Sequence, residues 1–164
     1  MAVVTTKSTQ ITNRDSTPVV LSNDAVVRGG VKSACGTVAS ANGDSANSLY
    51  ITCTIPSNAR IVAAFLYCDA LGGTAAGDVG LYDTTANGGA VVSGQFFAAG
   101  QTLVSALTGT NIRKSAVNTV PKFEQYVWQV LGLTSDPNKM YDVVVKLTAA
   151  SAAAGNVAVD VLYA

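Results

Sequence analysis

Leu49-Tyr50-Ile51-Thr52-Cys53-Thr54-Ile55 alternates apolar with polar side chains over most of its length, the period of two that a half-buried β-strand requires. The alternation predicts Leu49, Ile51, Cys53 and Ile55 on the core side and Tyr50, Thr52 and Thr54 on the other. Pro56 ends the run, because it has no N–H to give to a ladder. Arg60 to Ala70 follows and is apolar in both phases, with Ile61, Ala63, Phe65 and Tyr67 opposing Val62, Ala64, Leu66 and Cys68. That pattern predicts a strand in the middle of a sheet.

Outward from this pair, turn signals recur at short intervals: Asn42-Gly43-Asp44, Gly72-Gly73, Asn87-Gly88-Gly89, Gly109-Thr110-Asn111, Asp136-Pro137-Asn138 and Gly155-Asn156. Runs of strand length lie between them, the signature of an all-β sandwich or barrel. Val79 to Tyr82 reads as a short strand, and Tyr141 to Leu147 and Val157 to Tyr163 as two more. The small residues between the last two predict a terminal antiparallel hairpin. Residues 86–106 fit either strand pieces or a helical turn. Pro121 to Gly132 breaks the pattern: Phe123, Tyr126, Val127, Val130 and Leu131 recur at helical spacing between a proline and a glycine, predicting one short helix.

The chain of 164 residues fits one domain, expected as a single β-sandwich over 31–164. Residues 1–30 are polar with isolated apolar anchors, and are expected either as an extended N-terminal arm laid along another subunit or as a first edge strand. Lys7 and Arg14 add positive charge there. Val3, Val4, Lys7, Ile11 and Arg14 are therefore the candidate partner-interface residues.

Charged residues make up 12% of the chain while 49% is hydrophobic, about half the charged fraction usual for a soluble domain. A surface so poor in charge suits association with a partner. Ten basic residues balance ten acidic ones, which leaves no electrostatic footprint for nucleic acid or an anionic membrane. Met1 to Lys7 does not read as a secretory signal, and the longest apolar run, Ile61 to Cys68, is far short of the roughly 20 residues of a membrane-spanning helix. A soluble protein made in the cytosol is expected. Cys35, Cys53 and Cys68 stand apart, with no CxxC pair and no histidine in the chain, so buried free thiols rather than a zinc site are expected.

The absence of histidine also removes the common general base and the Ser-His and Cys-His nucleophile pairs. Asp44, Asp69, Asp78 and Asp83 could in principle form an acid-base pair or a calcium site, but each lies at a strand end or beside a glycine, where turn chemistry accounts for it. Phe123, Tyr126 and Trp128 fit a core cluster better than a carbohydrate-stacking platform. Arg113-Lys114 reads as a solvated loop tip. No catalytic residue, metal site or cofactor is expected, and the chain does not read as an enzyme.

Ile55-Pro56-Ser57-Asn58-Ala59-Arg60-Ile61, Cys68-Asp69-Ala70, Asp78-Val79-Gly80-Leu81-Tyr82, Trp128-Gln129-Val130-Leu131-Gly132-Leu133 and the closing valine strands stand in an order that resembles the head decoration (cement) proteins of tailed bacteriophages. The likeness is to the jelly-roll cement proteins of short-tailed phages such as those infecting Bordetella, over roughly residues 45–164. The resemblance implies a jelly-roll antiparallel β-sandwich on the capsid exterior of the virion. It implies self-association as a dimer or trimer and clamping of neighbouring major capsid protein subunits, and it brings no catalytic residues. A phage tail, neck or fibre component and a carbohydrate- or receptor-binding module are the alternative readings.

Overall fold

The computed structural model describes residues 7–20 and 30–164. After a short helix α1 (Thr9–Arg14) come eight strands: β1 (Lys32–Ser40), β2 (Leu49–Pro56), β3 (Ile61–Cys68), β4 (Ala76–Asp83), β5 (Val91–Thr102), β6 (Leu107–Asn111), β7 (Met140–Ala149) and β8 (Gly155–Tyr163). A second helix, α2 (Val127–Val130), lies between β6 and β7. The strands form two four-stranded antiparallel sheets, ordered β1-β8-β3-β6 and β2-β7-β4-β5. This is the strand order of a jelly roll: the pairs β1/β8, β2/β7, β3/β6 and β4/β5 alternate between sheets, and the sandwich closes over one core. The core draws Ala64, Leu66, Val157, Val159 and Val161 from the first sheet and Ile55, Val79, Leu81, Val143, Val145 and Leu147 from the second.

The predicted terminal hairpin does not form. β7 lies between β2 and β4 in one sheet, and β8 between β1 and β3 in the other. Residues 150–154 carry the chain across the end of the sandwich, held by N–H groups of Ala152 and Ala153 on the Leu71 carbonyl (2.8 and 2.9 Å) and of Ser151 on that of Asp44 (3.0 Å). Placed in opposite sheets, the valine stripes of β7 and β8 both turn into one core, which is how two single-faced apolar strands bury most.

The alternation in β2 also changes phase. Tyr50 is buried, whereas Leu49 and Ile51 are 49% and 52% exposed. The β2–β7 register shifts between Ile51 and Cys53, so Thr52 is the extra residue of a β-bulge. One such residue sends every side chain before it to the opposite face. The bulged Thr52 carbonyl points at Gly36 of β1, where an added Cβ would lie 1.8 Å from the oxygen. β3 does sit inside its sheet, but Ala64, Leu66 and Cys68 fill only its inner face, while Phe65 is half-buried and Tyr67 exposed.

Residues 86–106 resolve into a 3-10 turn (Thr85–Asn87) and the long strand β5. Register slips along β5 let Phe96 and Phe97 both enter the core, with rings edge-to-face at 5.0 Å. The helix predicted over 121–132 is split into a 3-10 turn (Val120–Lys122) and α2. The N–H groups of Val127 and Trp128 bond to the carbonyls of Ala59 and Ser57 (2.8 and 3.1 Å), so no preceding turn can take their place and the helix starts there. Gly132, at φ +78°, ends it as expected.

Candidate partner-binding surfaces

Val3 and Val4 lie outside the described residues, as do Val26 and Val27. Lys7 is exposed and pairs with Asp15 at 2.8 Å. Ile11 is half-buried within α1, and Arg14 is that helix's last residue. Where an extended arm was expected, residues 9–14 are therefore helical, capped by Ser8, whose Oγ accepts from the Ile11 N–H at 3.4 Å. The described backbone hydrogen bonds of this segment close within it, from Thr12 to Ser8 and from Val20 to Asn13.

The four carboxylates singled out in the sequence go to separate partners. Asp69 accepts from the Asn156 backbone N–H and side chain at 2.8 and 3.0 Å. Asp78 accepts from Gln95 and the Gly100 N–H at 3.0 and 2.7 Å. Asp83 pairs with Lys139. Among the described residues no group of three or more His, Cys, Asp or Glu side chains is placed to hold a metal ion. All three thiols are free; Cys68 is buried as expected, but Cys53 is half-buried and Cys35 exposed. Cys35 lies on the outer phase of an edge strand, while burial pushes the Cys53 thiol up to about 11.

Asp44 closes the loop between β1 and β2. The buried Tyr50 hydroxyl donates to its Oδ2 at 2.8 Å and lies 2.9 Å from Ser40 Oγ, and the Ala41 N–H donates to the same oxygen at 2.9 Å. The hydrogen bond from Tyr50, then that from Ala41, hold the Asp44 carboxyl below its ordinary value. A carboxylate whose pKa is depressed by folding contributes stability that is full above about pH 4 and lost as pH falls through the lower folded value. Tyr50→Phe should therefore be less stable than the parent at pH 6 and lose less of its stability between pH 5 and pH 2. Urea midpoints across that range check this, and an acid loss equal to the parent's would refute it.

The basic pair Arg113-Lys114 is not simply a solvated loop tip. Arg113 is half-buried, its guanidinium stacks 3.7 Å from the centroid of the Phe123 ring, and Nη2 donates to the Phe123 carbonyl at 3.0 Å. Asn111 Oδ1 accepts from the Arg113 N–H at 2.9 Å, the local turn bond that an Asn two residues ahead favours. That Asn was the available signal. None of Phe123, Tyr126 and Trp128 joins the core expected for them; Val127 and Val130 do. Nor do the rings form one platform, because Phe123 lines a depression with Arg113 while Tyr126 lines another with Pro56 and Tyr163.

Large apolar side chains remain exposed at the sheet margins. Leu49 and Ile51 stand on β2, an edge strand of its sheet, with Val91 on the opposite edge strand β5. The outer face of the other sheet carries Cys35, Thr37, Ala158, Phe65 and Tyr67 across three paired strands, with Asp160 held by Ser33 Oγ at 2.7 Å. These surfaces offer shape and apolar contact, and little chemistry.

No family model and no curated protein matches the chain. Two solved structures do. A chain in the capsid of Ralstonia phage GP4 superposes with a TM-score of 0.61 at 21% identity, over 82% of this chain and 84% of that one. A chain in the capsid asymmetric unit of cyanophage Pam1 superposes with a TM-score of 0.54 at 19% identity, over 91% and 95% respectively. At these identities the likeness establishes the fold, an all-β sandwich shared over most of each chain.

Proposed function

We propose that the chain is a structural virion protein, with no enzymatic role, that binds the outside of a phage capsid and cements neighbouring major capsid subunits. The observation that carries this reading is the match, over most of both partners, to similarly sized chains within two phage capsid structures. The low charge, the apolar side chains exposed on edge strands and the engagement of Asp69 and Asp78 in hydrogen bonds within the fold support it. A subunit that binds only the assembled shell stabilises that shell by mass action. Self-association as a dimer or trimer would multiply the effect across symmetry-related positions.

In this reading residues 1–30 form a docking arm outside the 31–164 sandwich, with Val3, Val4, Lys7, Ile11 and Arg14 against the partner. Because Thr9–Arg14 is helical, that part would dock as a helical turn rather than by adding a strand. Purified protein added to capsids lacking it should cosediment saturably at an icosahedral multiple and raise the particle melting temperature. A chain lacking residues 1–20 should fold with an unchanged melting temperature yet bind at least about tenfold more weakly. Unchanged binding would refute the arm. No binding by the full chain would refute the cement role and favour a tail component or a glycan-binding module.

A further inference from the structure

In a chain with only ten cationic side chains, Arg113 and Lys114 share one concave site. It is a depression of about 320 Å³ lined by Val62, Asn111, Arg113, Lys114, Val120 and Phe123. Val62, Val120 and Phe123 supply its apolar lining, and Val120 stands 58% exposed there. None of its lining residues is acidic. Arg113 is held in place from two sides: the Phe123 ring lies against its guanidinium, and the Phe123 carbonyl and Asn111 side chain fix Nη2 and the backbone. Such a cation has already lost most of its rotamer freedom, so engaging a carboxylate costs little further ordering. Burial, and to a lesser degree the charge of Arg60, lower the Arg113 pKa.

The geometry points to this depression as the seat of an acidic segment of a neighbouring protein, a carboxylate meeting Arg113 and Lys114 while an apolar side chain beside it packs on Val62, Val120 and Phe123. The inference rests on the capsid-binding reading, which makes that neighbour the capsid protein. Charge complementarity favours a carboxylate, and the apolar side chains of Val62, Val120 and Phe123 beside it favour a polypeptide over a free anion.

The test uses the full chain and capsids lacking it. Lys114→Glu and Val120→Asp change exposed side chains, so both should fold with the parent's melting temperature and bind about tenfold or more weakly. Arg113→Lys keeps the charge but loses the planar stack, and should also bind more weakly. Raising salt should weaken the parent more than Lys114→Glu. Lys146→Glu, on the opposite sheet, should bind as the parent does. If the parent binds and Lys114→Glu and Val120→Asp bind equally well, the pocket assignment is overturned and the cement role stands. If the parent does not bind at all, both fall together.

Discussion

Gly36→Val is expected to leave little folded protein. A Cβ at this position would lie 1.8 Å from the Thr52 oxygen and 2.7 Å from its carbonyl carbon. Those are backbone atoms of the bulge that sets the phase of β2, so relief requires β1 and β2 to part. Overpacking costs about 1–3 kcal/mol where side chains can yield, and more where they cannot. A domain with about 5–15 kcal/mol of total stability tolerates little of that. Gly36→Ala should show the same defect to a lesser degree, and Thr37→Ala, on the exposed phase of the same strand, almost none. Soluble yield and urea midpoints decide it; a Gly36→Ala protein with the parent's midpoint would show that the two strands can separate freely.

Phe97→Ala should cost about 3–5 kcal/mol, the range for removing a fully buried phenylalanine. Phe97 is 0% exposed and meets Phe96 edge-to-face at 5.0 Å with planes 77° apart. The irregular pairing of β5 brings both rings inward from consecutive positions, so the cavity would sit between the sheets with no neighbouring chain segment free to fill it. For a domain of this size the loss corresponds to a melting temperature lower by roughly 6–20 °C. Phe97→Leu should recover much of the difference. A fall of only a degree or two in Phe97→Ala would mean that the core there can collapse around the gap.

Strand existence was legible from β-branched runs and turn residues, and β2, β3, β4, β7 and β8 lie where the periodicity placed them. Their pairing was not. The Tyr141 to Leu147 and Val157 to Tyr163 runs look like hairpin partners because a short flexible linker joins them, yet among the described strands only β4 and β5 are both consecutive and paired. The same jelly-roll arrangement that the sequence resemblance implied forbids the terminal hairpin that local spacing suggested. The phase error at Leu49 and Ile51 comes from the bulge at Thr52, whose carbonyl packs against Gly36, sixteen residues earlier, and nothing local announces it. The pocket at Arg113 was hidden for a similar reason. Its stacking partner, Phe123, lies ten positions away, and the helical spacing of Pro121 to Gly132 disguised a ring that faces outward.

The central place of β8 governs how the molecule comes into being. It follows the other described strands in the chain, yet it sits between β1 and β3 and pairs with both. While the chain is emerging, that sheet waits with two open edges, and β7 leaves the other sheet in the same condition until it arrives. Formation of either sheet depends on long-range closure, so folding should be slow and should wait until β7 and β8 have been synthesised. A prematurely terminated chain would expose unpaired strands and tend to aggregate. The Ala164 N–H and carbonyl close a reciprocal pair with Arg60 at 3.0 and 2.9 Å, continuing the β3–β8 pairing beyond Ile61 and Tyr163. A protein built this way presents finished surfaces late.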